Sequence, residues 1–213
     1  MERSERDRFL SAARVAADLV RHPAVAERWD DESACAGMSV GGLAWHLGTQ
    51  TDLALRLLRA GAAEVEPIAL ADHYARAAWV RGGPDDAANV TIREGSDEQA
   101  EAGAAALAAL LGQWLEDLPE LLDATDPDTP VLIPWQGWAL TAHDLLVTRL
   151  METVVHTDDL AASVDLATPE FRAEVLAPVL DLLTGIAVRR HGGTALVRAL
   201  ARPQRAPQTV AAF

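Results

Sequence analysis

Apolar residues recurring at helical spacing, repeated pairs of helix start and stop signals, and a scarcity of alternating strand patterns make this an all-α sequence with a helical bundle at its centre. From Arg3 to about Val20, Phe9, Leu10, Ala13, Ala16, Ala17 and Val20 share a helix face, and Pro23 marks the stop. Ser39 is an N-cap for a second helix reaching about Ala60, with Gly61 just past its end. Between Ala63 and Gly95, Pro67, Gly82, Gly83 and Pro84 confine regular structure to a short helix over 71–80, then loop, with 89–93 extended. Ser96 opens a third long helix with Asp97 and Glu98 in its first turn, and this helix runs to about Leu115 before Pro119 interrupts or restarts it. Residues 123–140, DATDPDTPVLIPWQGWAL, read as a proline-rich ordered loop. Thr141 with Asp144 forms a capping box for the fourth long helix. Thr168, Pro169 and Glu170 repeat the start signal for a fifth helix that ends at Gly192 and Gly193, and a short helix over 194–201 precedes the tail.

At 213 residues the chain is expected to form a single domain over 1–213, large enough to bury its own core. Half of its residues are hydrophobic, yet no apolar run approaches the roughly 20 residues of a membrane span, and the charged, amphipathic N-terminus is unlike a signal or transit peptide. A cytoplasmic protein is expected. A net charge of −14 disfavours nucleic acids and anionic membranes as partners, because both require a positive field. The single cysteine, Cys35, excludes an intramolecular disulfide framework and a thiolate zinc cluster, and it reads as a small buried hydrophobe.

Chemistry concentrates on two of the helices. Glu152 and His156 stand four residues apart, so they share a face and can aim their donor atoms at one spot. His46, on the second helix, can complete a set of two imidazoles and one carboxylate, a common catalytic combination for a divalent ion that leaves coordination positions open. Taken singly, the residues have blander readings: His46 as a packed or surface histidine, Glu152 with His156 as an ordinary i,i+4 ion pair. Around them, Asp159 is one turn past His156 and can orient its ring, or it is a solvent-facing acid beside Asp158. Gln50 can bond a ligand or be a surface amide. Arg149 can pair with Glu152, meet an anionic substrate or form a structural salt bridge. Arg93, Arg202 and Arg205 are candidates for carboxylates of a thiol cofactor, with surface ion pairs as the alternative. Trp135 and Trp138 flank the loop before the fourth helix, where they wall a pocket or anchor the loop in the core. His22, His73, His143 and His191 show no partner spacing.

The pairing of LAWHLGTQ with LTAHDLLVTRLMETVVHTDDL, followed by RRHGGTALVRALARPQRAP, resembles the mycothiol-dependent maleylpyruvate isomerase family within the wider DinB-like group. The most specific parts are the pattern R-x-x-E-x-x-x-H-x-x-D-L, at Arg149, Glu152, His156, Asp159 and Leu160, and the tail from Arg202 to Pro207. The resemblance implies a DinB-like four-helix bundle that holds a divalent metal through His46, Glu152 and His156. It also implies mycothiol, a low-molecular-weight thiol of actinobacteria, as co-substrate, and a small electrophilic metabolite as the partner in an S-transferase or isomerase reaction. Isomerases of the family add a C-terminal domain, and the sequence is expected to end where that domain begins. Zinc is the expected ion, while nickel, manganese and iron also suit these ligands. A metal-dependent hydrolase using water, and a non-catalytic small-molecule-binding module with a vestigial metal site, remain alternatives. The oligomeric state is left open between monomer and homodimer.

Overall fold

A computed structural model describes residues 3–82 and 85–213. Gly83 and Pro84, part of the expected loop, lie outside the described residues. Four long helices form an all-α bundle: α1 (Arg3–Val20), α3 (Val40–Arg59), α7 (Ala104–Ala124) and α8 (Ala142–Ser163). Short helices α2 (Pro23–Glu27), α4 (Leu70–Arg76), α5 (Ala78–Arg81) and α6 (Ala87–Ala100) fill the connections. α9 (Ala173–His191) packs on α8 and α1, and α10 (Gly193–Ala201) folds back on α9, followed by a single 3₁₀ turn, Pro203–Arg205. Among the described residues no helix is long and apolar enough to cross a membrane.

Two apolar clusters fill the bundle. One gathers Phe9, Leu118, Leu122, Leu145 and Met151, and the other gathers Leu43, Leu47, Leu107, Leu111 and Leu160. Between them, along α3 and α8, runs a buried polar belt: Gln50, Thr51, Thr148, Thr153 and Thr157. The α8 threonines satisfy themselves locally, since Thr153 donates to the carbonyl of Arg149 and Thr157 to that of Thr153. On α8 the belt therefore adds polarity without requiring partners from the facing helix.

α1, α3 and α8 follow the sequence reading closely. Ser39 accepts the Gly42 N–H at 2.9 Å and Thr141 accepts that of Asp144 at 3.0 Å, so both caps form as expected. Elsewhere the chain departs from expectation. Residues 89–93, expected to be extended, are helical within α6. Ser96 does not start a helix. It lies inside α6, and its hydroxyl donates to the carbonyl of Ile92 at 2.8 Å. The real break falls at Gly103, whose φ of 82° ends one helix and admits the next. Asp97 supports a different helix from the one expected: its carboxylate accepts from the Ser39 hydroxyl at 2.6 Å and backbone N–H at 3.1 Å, at the mouth of α3. That approach requires Gly42, because a Cβ there would collide with Asp97.

α7 continues through Pro119. The missing N–H and the ring clash cost about 3 kcal/mol, and full burial of Leu118 and Leu122, each worth about 1.5–3 kcal/mol, offsets it. The helix expected over 71–80 is split at Ala77, which is buried in an extended conformation. Pro23 does more than stop α1: it is the first residue of α2, with His22 Nδ1 accepting the Ala24 N–H at 3.2 Å. Thr168 does not cap α9. Its hydroxyl is taken by Asp158, and α9 begins later, at Ala173.

The segment expected as a proline-rich loop contains an antiparallel hairpin, β1 (Pro130–Ile133) with β2 (Trp138–Thr141), paired Val131 to Leu140 and Ile133 to Trp138. Its residues are strand formers split by a tight turn from Pro134 to Gly137. The hairpin ties the connection before α4 to the start of α8. Ile68 N–H donates to the Ala139 carbonyl at 2.9 Å, and β2 runs directly into α8.

Candidate metal centre

The long α3–α8 interface brings His46, Glu152 and His156 together in the polar belt. His156 Nε2 lies 3.2 Å and His46 Nε2 3.7 Å from the same carboxylate oxygen, Glu152 Oε2. The two rings meet edge to face with centroids 4.7 Å apart. One donor atom from each residue falls within 4.8 Å of the others. A tetrahedral ion with bonds of 2.0–2.1 Å spaces its ligand atoms about 3.3 Å apart, so these separations fit a divalent cation with little side-chain movement. The donor set of two imidazoles and one carboxylate fits as well, and it leaves a fourth position to an exogenous ligand.

Neighbouring groups fix the donors. Asp159, one turn along α8, accepts from His156 Nδ1 at 2.9 Å, and this leaves the Nε2 lone pair of the neutral ring free for a cation. Cys35 is half-exposed rather than buried, and its thiol donates to the same Asp159 oxygen at 3.5 Å. Cys35, His156 and Asp159 form a second group of potential ligands that shares His156. Gln50 is buried, contrary to a surface amide: its Nε2 donates to the His46 carbonyl at 2.8 Å and lies 3.4 Å from His46 Nε2. Its Oε1 accepts from Arg149 Nη1 at 2.6 Å. Arg149 also donates from Nε to Thr148 at 3.1 Å, and it forms no direct ion pair with Glu152.

The electrostatics follow from this packing. Burial alone would raise the Glu152 carboxyl, but hydrogen bonds from His156 and His46, with the charge of Arg149, hold it well below the usual carboxylate range. Burial alone would lower His156, yet its bonds to Asp159, Cys35 and Glu152 lift it well above the ordinary imidazole value. His46 is lowered, first by burial and then by the charges of His156 and Arg149 acting against the pull of Glu152.

The other sequence candidates lie elsewhere. Trp135 is 59% exposed on the hairpin turn, so it neither anchors the core nor walls a buried pocket. Trp138 does anchor, donating from Nε1 to His73 Nδ1 at 3.1 Å. Arg93 lies on α6 with its side chain over the backbone of Gly37. Arg202 and Arg205 are exposed beyond α10, and Arg202 bonds the carbonyl of Ala201. The tail returns instead to α4 and α5, where Phe213 packs 6.1 Å from Tyr74 and 5.1 Å from Trp79, ring centre to ring centre.

Sequence reasoning missed His73 and Tyr74. Both are buried on α4, and both feel the charges of Glu152 and Arg149. His73 is pushed down to about 4, mainly by burial and then by Arg149. Burial also raises the Tyr74 hydroxyl far above its normal value. A histidine in a short helix bounded by Ala69 and Ala77 carries no spacing signal, and only the hairpin contact to Trp138 reveals its place.

Comparison with known proteins finds a family. The family described as the mycothiol maleylpyruvate isomerase N-terminal domain matches residues 9–161, a span that includes α3 and α8 but not the tail pattern at 202–207. No curated protein and no solved structure gives a significant match. The chain belongs to the mycothiol maleylpyruvate isomerase N-terminal domain family.

Proposed function

We propose that this protein is a metal-dependent enzyme in which a low-molecular-weight thiol, mycothiol by family, adds to a small electrophilic metabolite, with either release of the S-conjugate or isomerisation and expulsion of the thiol. The observation that carries this reading is the convergence of His46 Nε2, Glu152 Oε2 and His156 Nε2 at ligand spacing on two packed helices. A divalent ion held there supplies Lewis acidity that lowers the pKa of a thiol toward neutrality. Zinc suits the set best, and nickel, manganese or iron are compatible with the same donors.

The protein's own residues position and shield. Asp159 fixes the His156 tautomer, Gln50 holds the backbone of His46 against Arg149, and the apolar clusters on either side limit access of water. Cys35 lies on the Asp159 side of His156 and is engaged with that carboxylate, which favours a thiol brought from outside as the nucleophile. The described residues are read as a single domain acting in the cytoplasm.

The test is metal analysis of the purified protein by mass spectrometry, followed by thiol-conjugation assays with and without mycothiol. About one divalent ion per chain and thiol-dependent turnover are expected, with both lost in His46→Ala. A protein that takes up neither zinc nor nickel overturns the proposal, and turnover that ignores the thiol replaces it with a hydrolase.

A further inference from the structure

The edge of His156 that faces away from Glu152 carries its own set of donor atoms. One oxygen, Asp159 Oδ2, receives two hydrogens, from His156 Nδ1 at 2.9 Å and from the Cys35 thiol at 3.5 Å. A ring nitrogen, a carboxylate oxygen and a sulfur thereby lie within 4.8 Å of one another, and this group shares only His156 with the first three-donor set. A tetrahedral zinc ion with one sulfur ligand spaces its donors about 3.3–3.6 Å apart, so small side-chain rotations admit a cation where the two hydrogens now meet. The thiol is put there by its loop. Ser33 is buried and brackets Cys35, its hydroxyl accepting the Cys35 N–H and donating to the Cys35 carbonyl, each at 3.1 Å. The Ala34 N–H donates to Ser163 Oγ at 2.9 Å, and Ser163 donates in turn to the Asp159 carbonyl at 2.6 Å, which ties the loop to α8 one turn past the carboxylate. The side chains of His156 and Asp159 keep 20% and 29% exposure, against 12% for Glu152, so this edge of the ring is the one open to ions from solvent.

We propose that Cys35 Sγ, His156 Nδ1 and Asp159 Oδ2 form a second, thiophilic cation site that competes with the first centre for His156. The competition follows from the chemistry of the ring, because a neutral imidazole offers one free nitrogen lone pair at a time. The first centre uses Nε2 while Asp159 holds the ring proton on Nδ1. The second uses Nδ1, and the ring proton moves to Nε2, where Glu152 Oε2 lies 3.2 Å away to accept it. Entry of a divalent ion at the second site releases one proton, from the Cys35 thiol, and the imidazole keeps its own. The thiolate favours soft ions such as cadmium over manganese or magnesium. A cation softer than the ion at the first centre therefore draws His156 away and expels that ion. The donor set stands by itself, and only the competition rests on the proposed function.

The test is a cadmium titration of the zinc-loaded protein, in which the ultraviolet sulfur-to-cadmium charge-transfer band reports occupancy of the second site and a chromophoric chelator reports zinc released. The band is expected to grow with one zinc lost for each cadmium bound through sulfur. Cys35→Ser, which keeps a hydroxyl to bond Asp159, should abolish the band and make cadmium at least about tenfold less effective at displacing zinc. His156→Ala should weaken cadmium binding, read by the same band, at least about tenfold. No sulfur band in the wild-type protein overturns the site. So does a band whose midpoint is unmoved in His156→Ala, since the thiol then binds cadmium alone. A band that forms while all the zinc is retained overturns the competition. Failure to take up zinc at the outset defeats the proposed function instead, and the band in metal-free protein, with its dependence on His156, then decides the second site alone.

Discussion

Two polar groups share the middle of this bundle, and they are built on opposite principles. His46, Glu152, His156 and Asp159 form a closed circle in which each acid faces a ring nitrogen. Around Tyr74 and His73 the buried polar atoms are instead neutral: the Tyr74 hydroxyl has no hydrogen-bond partner, and His73 Nδ1 accepts the Trp138 N–H. The first group is rich in acceptors, as a cation requires, whereas the second is neutral and buried. Gln50 links the first group to Arg149, touching His46 with its amide nitrogen and Arg149 with its oxygen.

Breaking the closed group should have the largest effect. Glu152→Gln removes the charge to which both histidines converge, and metal affinity is expected to fall by about a thousandfold or more, measured by competition with a chromophoric chelator. Retention of tight metal binding by that variant would show that the circle is an ordinary ion-pair cluster. The second effect tests the neutral pair through pH. His73 titrates at about 4 in the folded protein and near 6.5 when unfolded, so as pH falls the unfolded chain takes up this proton first. Stability is therefore lost as pH drops from about 6.5 toward 4, by roughly 2–3 kcal/mol between pH 7 and pH 4.5 from this residue alone. Denaturant titrations at the two pH values should show that difference shrinking by this amount in His73→Gln. Smaller again is Asp159→Asn, which keeps the shape but weakens the hold on the His156 tautomer; a 10–100-fold loss of metal affinity is expected, of about the size found when such outer partners are removed.

The closed group was legible because its signals are local: Glu152, His156 and Asp159 lie on one helix within two turns, and His46 sits in a run that reads as the facing helix. Ser39 and Thr141 were legible for the same reason, since an N-cap is a contact across three residues. What escaped is long-range. Asp97 resembles an acid in the first turn of its own helix but caps α3, a pairing across 58 residues. Ser96 resembles an N-cap because a serine hydroxyl bonds a backbone group in either setting, and only tertiary packing decides which. The hairpin was hidden by its prolines, which occupy its first residue and its turn, where they remove no ladder hydrogen bond that the pairing needs. His73 depends on that hairpin through Trp138, so it was invisible with it.

The strand that runs without pause into α8 has a mechanical corollary. Through it, the segment bearing His73 and Tyr74 and the helix bearing Arg149, Glu152 and His156 behave as one jaw, riveted at Ala139 and at Trp138. His46 belongs to the opposite jaw, on α3, so of the three converging donors it is the one carried by a different element. Any adjustment of the three-donor spacing should consequently appear as sliding of α3, with the spacing between His73 and Glu152 kept constant.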